Sequence, residues 1–286
     1  DQMSQSHKHN TSSSLEGLYD PSKEHDACGL GFIANIKGKK SHKIVQDGLK
    51  ILENLEHRGA TGADPLMGDG AGMLVQIPHD FFTEQCKHYN FELPAASQYS
   101  VGFFFMPRDK DIQKTIKSDI ERIAAEREQT LIGWRPVPTN NSSLSKDPEI
   151  CATEPTHWQG FFSRPRNLSD DDFERRIYLL RRILSNTIRD KIDNQEEFYP
   201  VSMSSRTIVY KGMFLADQLG PYYLDLQNEK FISALALVHQ RFSTNTFPSW
   251  RLAHPYRMVA HNGEINTKRG NVNWMEARQA SLASPL

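Results

Sequence analysis

The sequence has few cysteines, no excess of either charge and no long hydrophobic run. Its 286 residues carry 34 Lys+Arg against 35 Asp+Glu, so the formal charge is −1. The basic surplus typical of proteins that bind nucleic acids or anionic membranes is missing. The longest apolar stretches, such as 234–238, are far shorter than the ~20 residues that span a bilayer. We therefore expect no nucleic-acid partner and no membrane association.

The cysteines also limit the class of protein. There are three, Cys28, Cys86 and Cys151, and an odd number at wide spacing argues against a disulfide framework and for a reducing compartment. Residues 1–14 have no apolar segment that could serve as a secretory signal. No C-x-x-C or H-E-x-x-H motif is present, so we predict no metal site. The expected location is the cytoplasm.

The order of predicted elements favours an α+β fold. Residues 1–27 are polar and read as a flexible leader, and the pattern changes abruptly at Cys28. Strands and helices then come in clusters instead of alternating one by one, unlike a doubly wound parallel sheet. Residues 133–168, rich in Pro, Asn, Ser and Thr, are predicted to be a long irregular connection. The periodicity predicts strands near 28–36, 71–77, 99–106, 207–210, 232–239 and 256–260, and helices near 44–55, 112–123, 170–188 and 271–279.

The glycine-rich segment Gly68-Asp-Gly-Ala-Gly has two interpretations. It lacks the Lys-Ser/Thr of a P-loop and the six-residue frame of a dinucleotide-binding turn. We therefore predict a turn that precedes a strand, with no phosphate-binding role.

Cys28 is the first candidate for chemistry. A cysteine that opens an apolar strand is usually a small buried hydrophobe. Here, however, the polar leader ends one residue earlier, and cleavage before Cys28 would make it the N-terminus. An α-amine, with a reference pKa of roughly 7.7 to 8, can accept the proton of the thiol near neutral pH. Nucleophile and base would then belong to one residue. Cys86 and Cys151 have no comparable setting and are expected to be structural or incidental.

Two polar clusters follow predicted strands near the C-terminus. The first, 239–246, reads His-Gln-Arg-Phe-Ser-Thr-Asn-Thr, and the second, 261–266, reads His-Asn-Gly-Glu-Ile-Asn. Both could be simple strand-end turns, because Asn-Gly is a common hairpin signal. Alternatively, Arg241 offers a fork of donors to a carboxylate, and Asn262 with Gly263 can direct two N–H donors at an oxyanion. With a thiol nucleophile, this set fits acyl transfer from glutamine.

These motifs together resemble a known family. Cys28-Gly-Leu-Gly-Phe, His57-Arg-Gly-Ala-Thr-Gly-Ala-Asp, the 68–72 glycine segment and the two polar clusters, in this order, are similar to the glutaminase domain of the glutamate synthase large chain. The resemblance extends from Leu18 to Leu286. Single motifs are shared by several class II amidotransferases, but the longer forms of the two clusters point to glutamate synthase.

The resemblance implies an N-terminal-nucleophile fold, a four-layer αββα sandwich, with residues 1–27 as a propeptide and 28–286 as the amidotransferase domain. It implies that Cys28 attacks the glutamine side-chain amide through a glutamyl thioester. Arg241 would bind the glutamine α-carboxylate, with Thr244 close by, and Asn262 and Gly263 would form the oxyanion hole. Arg58 would shape the pocket around the nucleophile, although a helix C-cap ion pair is an equal alternative for it.

The resemblance also implies partners and cofactors outside this segment. Ammonia would pass to later domains of the same polypeptide, which bind FMN and an iron–sulfur cluster and aminate 2-oxoglutarate reductively. Electrons would come from an NADPH-oxidising small subunit or from ferredoxin, and a photosynthetic eukaryote would keep the protein in the plastid stroma. The family pattern continues beyond Leu286, so we expect a domain truncated before its end. A catalytically silent fragment and an amidohydrolase acting on another amide remain alternatives.

Overall fold

A computed structural model describes residues 29–59, 64–242, 247–257, 259–261 and 267–282. The described chain is a mixed α+β fold with two four-stranded antiparallel sheets. No helix in these ranges is long and apolar enough to cross a bilayer. The strands are β1 Leu30–Ala34, β2 Ala71–Gln76, β3 Tyr99–Met106, β4 Leu131–Pro136, β5 Thr156–Ser163, β6 Tyr199–Ser204, β7 Thr207–Gly212 and β8 Leu235–Gln240. The α-helices are α1 His42–Asn54, α2 His79–Lys87, α3 Lys110–Ala125, α4 Pro148–Ala152, α5 Asp170–Arg189, α6 Leu219–Tyr222 and α7 Lys268–Gln279.

Sheet 1 has the strand order β1-β8-β2-β7. Helix α1 packs against it, and Gly48 of α1 lies so close that an added Cβ would be 2.8 Å from the Cβ of Ala236 and 2.9 Å from the Cε of Met73. One row of paired residues crosses all four strands: Leu30 pairs with His239, His239 with Gly72, and Gly72 with Lys211. This row lies at the end of the sheet where the candidate site residues follow β8.

Sheet 2 has the strand order β4-β5-β3-β6 and is covered on both faces. Because side chains alternate along a strand, β3 contributes to two different cores. Phe103 and Phe105 belong to the hydrophobic cluster shared with sheet 1, whereas Phe104 and Met106 join a second cluster formed with α3 and α5. Every residue of β3 is buried. Sheet 2 is therefore the enclosed scaffold of the fold.

The long helix α5 forms as its sequence predicts. Ser169 caps it by accepting a hydrogen bond from the backbone N–H of Asp172, and the acidic residues 170–172 lie in the first turn, where the helix dipole favours them. The apolar residues at helical spacing from 173 to 188 are buried against sheet 2. Burial of this stripe fixes the helix on the sheet.

Two sequence predictions are wrong. The segment 133–168 is not an irregular connection, because it contains most of β4, the short helix α4 and the whole of β5. The predicted strand 256–260 is absent, since its described residues 256–257 and 259–260 have no strand pairing. Instead, the backbone N–H of Tyr256 donates to the carbonyl of Val259 at 2.8 Å, which turns the chain back on itself.

Candidate active site

The end of β8 adjoins the start of β1. The backbone N–H of Gln240 donates to the carbonyl of Gly29 at 2.7 Å, just beyond the last paired residues Leu30 and His239. Cys28 lies outside the described residues, but it is bonded to Gly29, and consecutive Cα atoms are about 3.8 Å apart. Gly29, which directly follows Cys28, is therefore hydrogen-bonded to Gln240, which directly precedes Arg241.

The glycine segment 68–72 supports Arg241 through its backbone. The backbone N–H of Arg241 donates to the carbonyl of Gly70 at 2.8 Å, and its guanidinium Nη1 donates to the carbonyl of Asp69 at 3.2 Å. Gly70 has φ of +137°, a conformation that favours glycine, and β2 begins at the next residue. The prediction of a turn before a strand is confirmed. Its carbonyls hold the arginine that is our carboxylate-binding candidate.

The segment after α1 lies against the same strand end. It forms a 3-10 turn, Glu56–Arg58, followed by Gly59. A Cβ added to Gly59 would be only 2.5 Å from the Nε2 of Gln240, so this segment and the end of β8 are in direct contact. The backbone of Arg58 is thus next to the site, while the placement of its side chain lies outside what is described.

A cluster of basic residues covers this end of sheet 1, and sequence reasoning missed it. His239 is fully buried, and its ring stacks on that of His254 with centroids 4.7 Å apart and an interplanar angle of 30°. Lys211 is also fully buried, and its Nζ donates to the carbonyls of Ala253 at 2.7 Å and Arg251 at 3.0 Å. No sequence motif joins these residues, which come from different strands and loops. A histidine at the end of an apolar strand was the one available signal.

The buried basic groups at this end of sheet 1 have lowered pKa values. Burial, together with the neighbouring His239, Lys211, His261 and Arg241, lowers the pKa of His254 to about 3. Burial likewise lowers the pKa of Lys211 well below its ordinary value. The guanidinium of Arg241 can bind an anionic substrate group at this end of the sheet.

The other two cysteines are remote from this chemistry. Cys86 of α2 is completely buried, and burial raises the pKa of its thiol to about 12. Cys151 is half-buried in α4, and its Sγ donates to the carbonyl of Ser145 at 3.1 Å. A thiol with a raised pKa supplies little thiolate and is a poor nucleophile.

Only part of the predicted site can be placed. The described chain brings the backbone of Arg58 and Arg241, both predicted site residues, together with Gly29 and the 68–72 turn. Cys28, Thr244, Asn262 and Gly263 lie outside the described residues. His261, the residue before Asn262, is described, and its backbone N–H donates to Nδ1 of His254 across a long 3.4 Å contact.

Residues 28–286 match the family of class-II glutamine amidotransferases, and the chain belongs to that family. It is 46% identical over 271 residues to the large chain of NADPH glutamate synthase from Bacillus subtilis, covering 94% of this chain and 17% of the relative. The corresponding large chain of Azospirillum brasilense is 42% identical over 268 residues, covering 93% and 17%. Ferredoxin-dependent glutamate synthase 2 of Arabidopsis thaliana, named chloroplastic, is 42% identical over 269 residues, covering 94% and 16%.

These similarities confirm the resemblance to glutamate synthases that the sequence motifs indicated. The chain spans about a sixth of the length of these relatives. Among the residues that the structure describes, no group of three or more His, Cys, Asp or Glu side chains is arranged to hold a metal ion.

Proposed function

We propose that this chain hydrolyses L-glutamine to glutamate and ammonia, with Cys28 as the nucleophile. The observation that carries this function is the hydrogen bond between Gly29 and Gln240, which joins the position next to Cys28 to the strand end that carries Arg241. Membership of the class-II amidotransferase family supports the same substrate. We further propose that the two antiparallel sheets belong to an αββα N-terminal-nucleophile sandwich, with residues 1–27 removed as a propeptide.

The reaction follows from the groups at this end of sheet 1. Removal of residues 1–27 frees the α-amine of Cys28, which accepts the thiol proton. The sulfur bonds to the side-chain carbonyl carbon of glutamine, and the N–H donors of Asn262 and Gly263 bind the resulting oxyanion. The α-ammonium returns the proton to the leaving nitrogen, ammonia departs, and a glutamyl thioester remains. Water then attacks the thioester, giving glutamate and the free thiol.

Substrate binding depends on Arg241 and its surroundings. Its guanidinium can pair with the glutamine α-carboxylate through two parallel N–H donors. The carbonyls of Asp69 and Gly70 fix the arginine before the substrate arrives. Thr244 and Arg58 are proposed to line the pocket beside it. In the full-length protein, we propose that the ammonia is used for the reductive amination of 2-oxoglutarate in the remaining domains.

Those domains, rather than this segment, are proposed to hold FMN and an iron–sulfur cluster. We propose that an NADPH-oxidising subunit or ferredoxin supplies the electrons, and that the protein works in the cytoplasm or the plastid stroma.

The decisive experiment replaces the nucleophile. In the full-length protein, Cys28→Ala and Cys28→Ser should abolish ammonia release from glutamine, and neither variant should be labelled at residue 28 by 6-diazo-5-oxo-norleucine, a diazo ketone analogue of glutamine. Cys151→Ser is the matched control, because its hydroxyl can keep the hydrogen bond to Ser145. Activity supplied with free ammonia should survive in all three variants. Equal losses in the control, or an active enzyme whose intact mass still includes residues 1–27, would contradict this function.

Substitution of Arg241 tests substrate binding separately. Arg241→Ala removes a charge-assisted pair to the α-carboxylate, so we expect KM for glutamine to rise about 10- to 100-fold with a smaller change in kcat. Arg257→Ala is a control with another arginine of this region, one that pairs with Glu174 of α5 at 2.9 Å. An unchanged KM in Arg241→Ala would contradict the proposed role.

A further inference from the structure

The ring of His254 contacts two separate segments of the candidate site. It stacks on His239 of β8, with centroids 4.7 Å apart, and meets the ring of His261 edge-on at 5.6 Å. His239 lies two residues before Arg241. His261 directly precedes Asn262. The His254 ring is therefore located between the segment that binds the carboxylate and the segment that leads into the oxyanion donors.

Sheet 1 holds His254 firmly in this position. Gly72 of β2 leaves room for its backbone, because a Cβ there would be 2.3 Å from the carbonyl oxygen of His254. A Cβ at Gly70 would likewise be 2.8 Å from the Cβ of Ala253. On the same face of the sheet, Nζ of Lys211, the residue paired with Gly72, donates to the carbonyls of Ala253 and Arg251. Two glycines and one buried lysine thus fix the chain on which the His254 ring is mounted.

The His254 ring also contacts a third aromatic ring. The ring of Tyr256 lies 4.5 Å from that of His254 between centroids, and the Tyr256 N–H bond to the carbonyl of Val259 turns the chain back toward His261. Contacts with three aromatic rings restrict the rotation of the His254 ring, which is the condition for a side chain that sets the distance between two others.

Resting on the glutaminase function proposed above, we propose that His254 is a positioning residue for glutamine hydrolysis. Its ring fixes the separation between the segment of Arg241 and the segment that continues into Asn262. The first segment binds the α-carboxylate and the second receives the charge that develops on the amide oxygen, at the other end of the same substrate. A shift of about 1 Å between such groups can reduce the rate about 100-fold.

The ionisation of the rings agrees with this role. Burial, together with the neighbouring His261 and Arg241, lowers the pKa of His239 to about 4, and burial is the largest cause that lowers the pKa of His254 to about 3. Both rings are therefore neutral near pH 7, and they stack without the repulsion that two imidazolium rings would have. Neutral rings beside Lys211 and Arg241 also add no further positive charge to the site.

Kinetics of His254→Ala test the proposal. In the full-length protein we expect kcat/KM for glutamine to fall about 10- to 100-fold, with KM raised through the Arg241 segment and kcat lowered through the Asn262 segment. His88→Ala, an exposed histidine at the end of α2, is the control and should match the wild type. Rates are expressed per site labelled by 6-diazo-5-oxo-norleucine, so that a smaller folded fraction does not count as slower catalysis.

Two further variants separate positioning from general damage. His254→Phe keeps an aromatic ring for the stack on His239 and should recover most of the activity. His254→Asn keeps an acceptor near the place of Nδ1 but no ring, and should remain close to His254→Ala. In a double-mutant cycle, the KM effects of His254→Ala and Arg241→Ala should combine to less than their product, because both act through one segment.

Several results would overturn the inference. One is a wild-type rate per labelled site in His254→Ala. Another is equal activity in His254→Phe and His254→Asn. This second comparison remains valid even if the His254→Ala variant does not fold. A loss confined to the number of labelled sites would show a purely structural role. If the wild-type protein released no ammonia from glutamine, the proposed function itself would fail, and this outcome is distinct from all of these.

Discussion

The strands β3 and β1 show how differently the two sheets are used. All eight residues of β3 are buried, and α3 and α5 close the outer face of its sheet. In β1, exposed and partly buried positions alternate, and Phe32 is 68% exposed. Sheet 2 is expected to supply stability, and the proposed site lies at the end of sheet 1, whose edge strand is β1. Substitutions in sheet 2 and its core should therefore cost stability, and substitutions near the end of sheet 1 should cost activity.

The largest expected effect is on the core that the two sheets share. The guanidinium of Arg135 on β4, fully buried, donates to both carboxylate oxygens of Asp225 at 2.7 and 2.8 Å, and Tyr210 of β7 donates to the same carboxylate. Asp225→Ala leaves a buried cation unpaired, so we expect the free energy of unfolding to fall by about 3–5 kcal/mol. Hydrogen–deuterium exchange of the β3 and β4 amides measures this loss.

Asp217→Ala is the control for that variant, since Asp217 is an exposed carboxylate on the same connection between β7 and β8. A loss in Asp225→Ala no larger than in the control would contradict the view that this shared core supplies the stability.

The second effect concerns activity at the end of sheet 1. Asn262→Ala removes one proposed oxyanion donor, so we expect kcat for glutamine to fall about 10²- to 10³-fold. Stability and ammonia-dependent activity should change little, in contrast to Asp225→Ala. Asn271→Ala, on the exposed surface of α7, is the control. A loss of stability that matches the loss of rate would remove the distinction between the two regions.

The third effect is a pH dependence of stability from His157 of β5. Burial lowers its pKa from 6.5 to about 3, so it stays neutral in the folded protein while the unfolded chain takes up a proton. Stability from this group is fully present above about pH 6.5 and is lost progressively as the pH falls toward 3. Each such group contributes a slope of about 1.4 kcal/mol per pH unit within this window.

His157→Phe removes that group without a charge or a large change of shape. Between pH 4.5 and 6, the slope of the unfolding free energy against pH should decrease by about 1.4 kcal/mol per pH unit, which corresponds to one proton. This change is expected whatever the variant does to absolute stability. Asn271→Ala, which removes no titratable group, should leave the slope unchanged. An identical slope in His157→Phe would show that the enclosed histidine is protonated in the folded protein.

The smallest effect is expected at the open face. Phe32→Ser replaces a side chain that is mostly exposed, so stability should change by no more than about 0.5 kcal/mol, against about 3–5 kcal/mol for Phe103→Ala in the shared core. Amide exchange of β1 and β3 in the full-length protein measures both. A large loss in Phe32→Ser would show that another part of the full-length protein covers this face.

Hydrophobic periodicity predicted the elements whose burial is simple. Helices α1 and α5 have one apolar stripe each, and β3 is an almost continuous apolar run. The same reasoning failed at β5, which reads Thr-His-Trp-Gln-Gly-Phe-Phe-Ser. Its buried Gln159 and the buried Arg135 of β4 look like surface residues in sequence, because their partners, Tyr210 for Gln159 and Asp225 for Arg135, are far away in the chain. Polar residues satisfied by distant partners break the alternation that identifies a strand.

The candidate site was predictable where one motif held both the side chain and its setting. Arg241 and the 68–72 turn were predicted because each has its own local pattern. The contacts between His239, His254 and Lys211 were not, because they join β8, β7 and a loop that share no spacing. The roles of all six predicted site residues remain predictions: Arg241 and the backbone of Arg58 have described positions, whereas Cys28, Thr244, Asn262 and Gly263 lie outside the described residues.

The close approach at Gly70 and Gly72 has a consequence for how variants of this protein are read. Neither glycine is proposed to touch glutamine, yet any larger residue at either position would push the loop at 253–254 away from the sheet. Such a variant would lose activity toward glutamine, although the substituted residue lies beneath the loop and has no proposed contact with the substrate. The absence of a side chain at Gly70 and Gly72 therefore allows the loop at 253–254 to lie directly on the sheet.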